Sequence, residues 1–99
     1  MRFVVHALDK ADGLTRRLSA IDAHRAYLDR APAKHGLSIL LSGPLVDDSG
    51  QAMVGSFFLL EAPSRAAVEA LFAEDPLNLA EVWETRTITA VVLRQNNMA

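Results

Sequence analysis

The order of apolar segments is the feature that most restricts how this chain can fold. Four β-prone segments are separated by a helical pattern, a tight turn and a second helical pattern, and they span residues 2–8, 37–46, 52–61 and 84–94. The β-α-β-β-α-β order is typical of the ferredoxin-like fold. We therefore predict an α+β protein with a four-stranded antiparallel sheet and both helices on one face.

The first helical pattern predicts a helix from Ser19 to about residue 34. Ser19 is a suitable N-cap, with Asp22 three positions later, and residues 9–18 are then a polar loop. Gly36 is the expected residue after the helix, and Pro32 should kink or loosen its last turn.

The second helical pattern begins after Ser64, a predicted N-cap, and stops at Asp75-Pro76. It stops there because the residue before proline avoids the α region. Residues 77–83 are predicted to hold one short helical turn.

Two strands contain apolar runs that do not alternate with polar residues, Ile39-Leu40-Leu41 and Phe57-Phe58-Leu59-Leu60. Continuous apolar runs indicate a sheet that is covered on both faces, whereas two helices cover only one. The chain is also 51% hydrophobic in only 99 residues. We therefore predict a homodimer with sheets packed face to face, a dimeric α+β barrel, in which residues 1–94 form one domain and 95–99 a tail.

Composition excludes several classes of function. A net charge of -2 without a run of Lys and Arg argues against nucleic acid as a partner, and the absence of Cys excludes thiolate and disulfide chemistry. The apolar segments are too short for a signal peptide or a membrane span, so a cytoplasmic protein is expected. The three histidines lie in different elements and no glycine-rich nucleotide motif occurs, so we expect neither a metal nor a cofactor.

His24 and Asp75 are the first candidates for chemistry. His24 shares a helix face with Ile21 and Leu28, which should direct its imidazole toward the sheet. It is either a core histidine bonded to a backbone carbonyl or a general base. Asp75 is either the N-cap of a short helix with Pro76 at its first position or a carboxylate that orients His24. Their separation in the sequence leaves open whether they meet.

Other candidates carry weaker signals. Ser42-Gly43-Pro44 could let a ligand approach the backbone closely, or could simply end a strand. Arg16 and Arg17 could bind an anionic substrate, although arginines in such positions are more often only solvated. His6 is expected to be packed in the first strand, and His35 suits the negative end of the first helix.

An ordered set of residues resembles the YciI-like (YCII-related domain) family. The N-terminal part of the resemblance rests on Asp9-Lys10-Ala11-Asp12, Leu14, Arg17-Leu18 and His24. It continues through Ser42-Gly43-Pro44, Gly55-Ser56 and Asp75-Pro76. The resemblance covers about residues 1–94.

This resemblance implies a dimeric α+β barrel with a pocket that holds a His–Asp pair. The pair falls on His24 and Asp75, while Ser42 and Gly43 would line the pocket and Arg17 would lie near it. The family is mostly uncharacterised, and dechlorination of a hydroxylated aromatic is the chemistry attached to it. Leu77 stands where family members often have an aromatic residue.

These observations favour a small cofactor-free enzyme that acts on a small organic molecule. His24 would be the general acid or base, oriented by Asp75, in an isomerisation, elimination or dehalogenation. One alternative is a non-catalytic dimeric module that binds a small ligand or supports a partner. Another is a cofactor-free monooxygenase on a related barrel, which would consume oxygen with a quinol-like substrate.

Overall fold

Seven elements follow one another in a computed structural model that describes residues 1–98. Their bounds are β1 (Arg2–Asp9), α1 (Leu14–Lys34), β2 (Ser38–Val46), β3 (Met53–Glu61), α2 (Arg65–Ala73), α3 (Pro76–Leu79) and β4 (Trp83–Val91). The sheet has four antiparallel strands in the order β2-β3-β1-β4. The predicted ferredoxin-like α+β fold is therefore confirmed. Ala99, the last residue of the predicted tail, lies outside the described residues.

The strand β1 lies inside the sheet and alternates between its two faces. Phe3, Val5 and Ala7 are buried toward the helices, as expected for side chains that repeat every second residue. Val5 is aligned with Phe58 of β3 on one side and Ile88 of β4 on the other. The core closes over this face with helical residues, namely Ala31, Val68, Leu71 and Phe72.

The start of α1 differs from the prediction. The helix begins at Leu14 and not at Ser19, and its N-cap is Gly13, which makes no side-chain capping hydrogen bond. Ser19 is an exposed residue within the helix. The Ser19 signal was misleading because residues 14–18 favour helix as well, and because Arg17 is held by a tertiary contact described below.

The other boundaries agree closely with the prediction. Ser64 caps α2 by accepting a hydrogen bond from the Ala67 amide at 3.2 Å. The helix α1 continues through Pro32 to Lys34, and Gly36 follows with a φ of 73°. One strand end differs by more than one residue: β4 ends at Val91, whereas the predicted strand ran to residue 94.

The second face of the sheet, which we call the open face, points away from the helices. Strand register places Val4, His6 and Leu8 of β1 there, beside Phe57 and Leu59 of β3 and Leu41 and Leu45 of β2. Leu8, Leu41 and His6 are exposed. The expectation of a packed His6 is therefore wrong for a single chain.

Among residues 1–98 no helix is long and apolar enough to cross a membrane.

Candidate functional site

The imidazole of His24 and the carboxylate of Asp75 form a buried pair. Nδ1 of His24 lies 2.8 Å from Oδ1 and 2.9 Å from Oδ2 of Asp75. His24 is 8% exposed and Asp75 is 0% exposed. An ionised carboxylate only accepts hydrogen bonds, so it holds the ring in the orientation in which Nδ1 carries a proton. The other nitrogen, Nε2, is then the one left for chemistry.

Asp75 is also the N-cap of α3. Its Oδ1 accepts the amide hydrogen of Leu77 at 2.8 Å, and Pro76 occupies the first position of the helix. The two roles proposed for Asp75 from the sequence, as an N-cap and as the partner of His24, are thus compatible, because one carboxylate has enough lone pairs for both contacts. The cap fixes the carboxylate to the backbone, and the carboxylate in turn fixes His24.

A cavity of about 230 Å³ opens beside this pair, between α1 and the strands β2 and β3. Four of the five predicted site residues line it, namely Arg17, His24, Ser42 and Gly43. Asp75 lies behind the imidazole and does not line it. Nε2 of His24 has no hydrogen-bond partner among residues 1–98. It is not fully buried either, because Arg16 Nε is the only side-chain nitrogen or oxygen in those residues that is both buried and without a partner. Nε2 therefore reaches accessible space.

Arg17 belongs to a buried polar cluster that was not predicted from the sequence. It is 1% exposed, although its position alone favoured a solvated side chain. Its Nε and Nη2 bind the two oxygens of Asp9 at 2.7 and 2.8 Å, and Nη2 also donates to Ser56 Oγ at 2.8 Å. Trp83 Nε1 donates to the same Ser56 oxygen at 3.1 Å.

A signal for this cluster exists in the helical spacing. Arg17 precedes Ile21 by four residues and His24 by seven, so all three lie on one stripe of α1. The relationship was missed because the helix was predicted to begin at Ser19, which placed Arg17 outside it. Arg16, by contrast, points elsewhere and pairs with exposed Asp12 at 3.0 Å, which lowers the pKa of that carboxyl.

Phe58 provides the aromatic wall of the cavity. Its ring meets that of His24 edge-on at a centroid distance of 6.1 Å and is backed by Phe72 at 4.6 Å. Leu77 does not contribute a wall, because it is fully buried in the core and does not line the cavity. The aromatic surface next to the imidazole therefore comes from β3.

The polar side chains near the cavity include groups that can exchange protons. Within residues 1–98, His, Asp and Glu side chains form no group of three that could hold a metal ion. The two buried carboxylates, Asp9 and Asp75, are each matched to a specific partner, Arg17 and His24 respectively. The arrangement can bind a small polar molecule and exchange a proton with it.

These features define a class: ferredoxin-like α+β proteins with a buried His–Asp pair beside a pocket on the helix side of the sheet. The model of the YCII-related domain family matches residues 1–92, and the chain belongs to this family. Protein YciI of Escherichia coli O6:H1 (strain CFT073) is 38% identical over 87 residues, which cover 85% of this chain and 89% of that protein. Protein YciI of Shigella flexneri has the same identity and coverage.

Solved structures also resemble this chain. One is 5-chloro-2-hydroxyhydroquinone dehydrochlorinase (TftG) from Burkholderia phenoliruptrix AC1100 in complex with 2,5-dihydroxybenzoquinone. Its TM-score is 0.80 at 26% identity, with 93% of this chain and 94% of that chain covered. A dimeric ferredoxin-like protein of unknown function from Jannaschia sp. CCS1 has a TM-score of 0.52 at 15% identity, covering 93% and 98%. The second likeness concerns the fold alone.

Proposed function

We propose that this protein is a small cofactor-free enzyme that uses His24 as a general acid and base, oriented by Asp75. The observation that carries the proposal is the contact of Nδ1 with both oxygens of a fully buried carboxylate, while Nε2 remains without a partner beside a cavity. A base must reach the proton that it abstracts, and its second nitrogen must be held in one tautomer. The position of His24 beside the cavity supports the first requirement, and its contact with Asp75 supports the second.

The chemistry that fits this pair is proton transfer followed by isomerisation or elimination. Nε2 takes a proton from an O–H or C–H group of the substrate, and the freed electron pair forms a new C=O or C=C bond. In an isomerisation the proton returns at another atom of the substrate. In an elimination a leaving group such as chloride departs with its bonding pair, so that HCl is lost without an outside oxidant or reductant.

The substrate class is a small organic molecule, which we propose to be an oxygen-bearing ring. A cavity of about 230 Å³ is smaller than the pockets that hold drug-sized ligands. Phe58 offers an apolar wall for a ring, and polar groups of Arg17 and Ser42 lie around it. The dehydrochlorinase similar to this chain acts on a chlorinated hydroxyhydroquinone, as its name states, which supports dehalogenation as the first reaction to test.

We also propose that the working unit is a homodimer formed through the open face. Apolar side chains such as Leu8, Leu41 and Leu45 lie on that face, and two of these are exposed in the single chain. Exposed apolar patches of this kind are typical of protein–protein contacts. A neighbour of the same fold is described as dimeric, which supports dimerisation, while the choice of the open face rests on its exposed leucines.

The deciding experiment compares chloride release from 5-chloro-2-hydroxyhydroquinone, and turnover of a panel of small phenols and acids, by wild type and His24→Ala. We expect His24→Ala to abolish turnover while circular dichroism and sedimentation remain those of the wild type. His35→Ala, at the far end of the same helix, is the matched control and should keep its activity. A His24→Ala protein with full activity on a verified substrate would refute the proposal, and binding without turnover by the wild type would favour a ligand-binding module.

A further inference from the structure

We infer that Ser56 is a dedicated hydrogen-bond donor of the pocket, which binds an oxygen atom of the ligand. The inference deepens the proposed function by naming the group that the pocket recognises: a carbonyl, enolate or phenolate oxygen. It rests on the proposed pocket but not on its catalysis.

The two bonds that Ser56 accepts carry the inference. Arg17 Nη2 donates to its Oγ at 2.8 Å and Trp83 Nε1 donates to it at 3.1 Å. Neither guanidinium nor indole nitrogen can accept, so the direction of both bonds is certain without seeing hydrogens. A hydroxyl oxygen has two lone pairs, and both are occupied. Ser56 can interact with a third group only by donating its own proton.

No protein group takes that proton. Among the residues that the structure describes, no oxygen accepts a hydrogen bond from Ser56 Oγ, although the residue is only 2% exposed. Ser56 lines the same cavity as His24 and Phe58. Because a buried hydroxyl proton without an acceptor is costly, we expect a molecule bound in the cavity to supply the acceptor.

The surroundings of Ser56 make it a better donor to negative charge. Arg17 is held by two hydrogen bonds to Asp9, so its guanidinium stays directed at the Ser56 oxygen. A cation that donates to a hydroxyl draws electron density from it and strengthens the bond that the hydroxyl donates. The contact should therefore tighten when charge develops on the ligand oxygen, as it does when His24 removes a proton.

The first test is a crystal structure of the wild type soaked with 2,5-dihydroxybenzoquinone. We expect an oxygen of the ligand within hydrogen-bond distance of Ser56 Oγ. Arg17 and Trp83 should still donate to the same Ser56 oxygen. A structure in which Ser56 donates to a protein carbonyl, or in which the probe lies away from it, would overturn the inference.

The second test measures binding of the same probe by calorimetry. We expect Ser56→Ala to lower the affinity about tenfold or more, since one hydrogen bond to a charged oxygen is lost. Trp83→Phe is the matched control, because it breaks the other bond of the same oxygen and keeps the hydroxyl, and Trp83 does not line the cavity. The affinity of Trp83→Phe for the probe should fall by less than about threefold.

The outcomes separate this inference from the proposed function. Equal losses of affinity in Ser56→Ala and Trp83→Phe would mean that Ser56 has only a structural role. If the wild type does not bind the probe, the inference of a pocket that recognises a ligand oxygen is contradicted. If binding depends on Ser56 but the wild type turns over no substrate, the inference stands and the proposed enzymatic function is contradicted.

Discussion

Nδ1 of His24 lies within 2.9 Å of both oxygens of Asp75, a residue that is 51 positions away in the chain and caps a different helix. The Leu77 amide fixes the same carboxylate at 2.8 Å. The orientation of the imidazole is therefore set by the backbone at the start of α3.

Asp75→Asn should separate the capping role from the acid–base role. Asparagine is an equally good N-cap, so the bond to Leu77 and the free energy of unfolding should change little. Its amide can donate to Nδ1, which moves the proton to Nε2 and removes the base. We expect kcat to fall about 10²–10⁴-fold. Steady-state kinetics and urea unfolding check this, and an unchanged kcat would contradict it.

Arg17→Met should destabilise the protein strongly. It leaves the carboxylate of Asp9, which is 5% exposed, without its partner. Removal of one member of a buried ion pair costs about 3–5 kcal/mol in the free energy of unfolding. Arg16→Met is the matched control, because Arg16 pairs with an exposed carboxylate and should matter little. Urea denaturation of both variants measures the contrast, and equal effects would argue against the buried cluster.

Gly55→Ala should also destabilise the fold, and here the cause is steric. A Cβ at this position would overlap the carbonyl oxygen of Ala7 on the neighbouring strand and press on Leu45. Overpacking of this kind costs about 1–3 kcal/mol or more. A Cβ at Gly43 meets nothing within 4 Å, so Gly43→Ala should keep the stability of the wild type. Thermal unfolding compares the two, and a tolerated Gly55→Ala would disprove the close approach of β3 to β1.

The hydroxyl of Tyr27 should make stability depend on alkaline pH. It donates to the Leu71 carbonyl at 2.6 Å, and burial, followed by the charges of Glu74 and Asp75, raises the pKa of Tyr27. The folded state therefore favours the protonated phenol, so this contribution is complete below about pH 10 and is lost as pH rises through the raised pKa.

Tyr27→Phe tests this directly. It should lose about 0.5–1.5 kcal/mol at neutral pH, and its difference from the wild type should shrink above about pH 10. Urea unfolding across this range measures the effect. Because Tyr27 is the one tyrosine in the sequence, phenolate absorbance reports its titration without overlap. A difference that stays constant with pH would contradict the assignment.

Leu41→Asp should dissociate the proposed homodimer. Leu41 lies on the open face, where a buried carboxylate in the contact would be costly. Leu79→Asp is the control, because Leu79 is also exposed but belongs to α3. We expect sedimentation to give a dimer for the wild type and Leu79→Asp and a monomer for Leu41→Asp. A wild type that is a stable monomer at micromolar concentration would contradict the dimer.

The order of the elements and most of their ends could be predicted from the sequence. Strand periodicity, the Ser64 cap and the stop at Asp75-Pro76 are local signals that depend on residues a few positions apart. The start of α1 could not be predicted, because a cap-like Ser19 competes there with helix-forming neighbours on both sides. Local preference is weak in such cases, and tertiary contacts decide.

The residue types of the candidate site were also visible in the sequence, since His24 lies on the inward stripe of its helix and Asp75 precedes a proline. Only the tertiary structure decided that the two side chains meet, and that Arg17 is buried against Asp9 and Ser56 rather than solvated. Contacts between residues that are far apart in the chain depend on how helices pack on the sheet. Sequence patterns determine which face each side chain takes, whereas the packing of those faces determines what it touches.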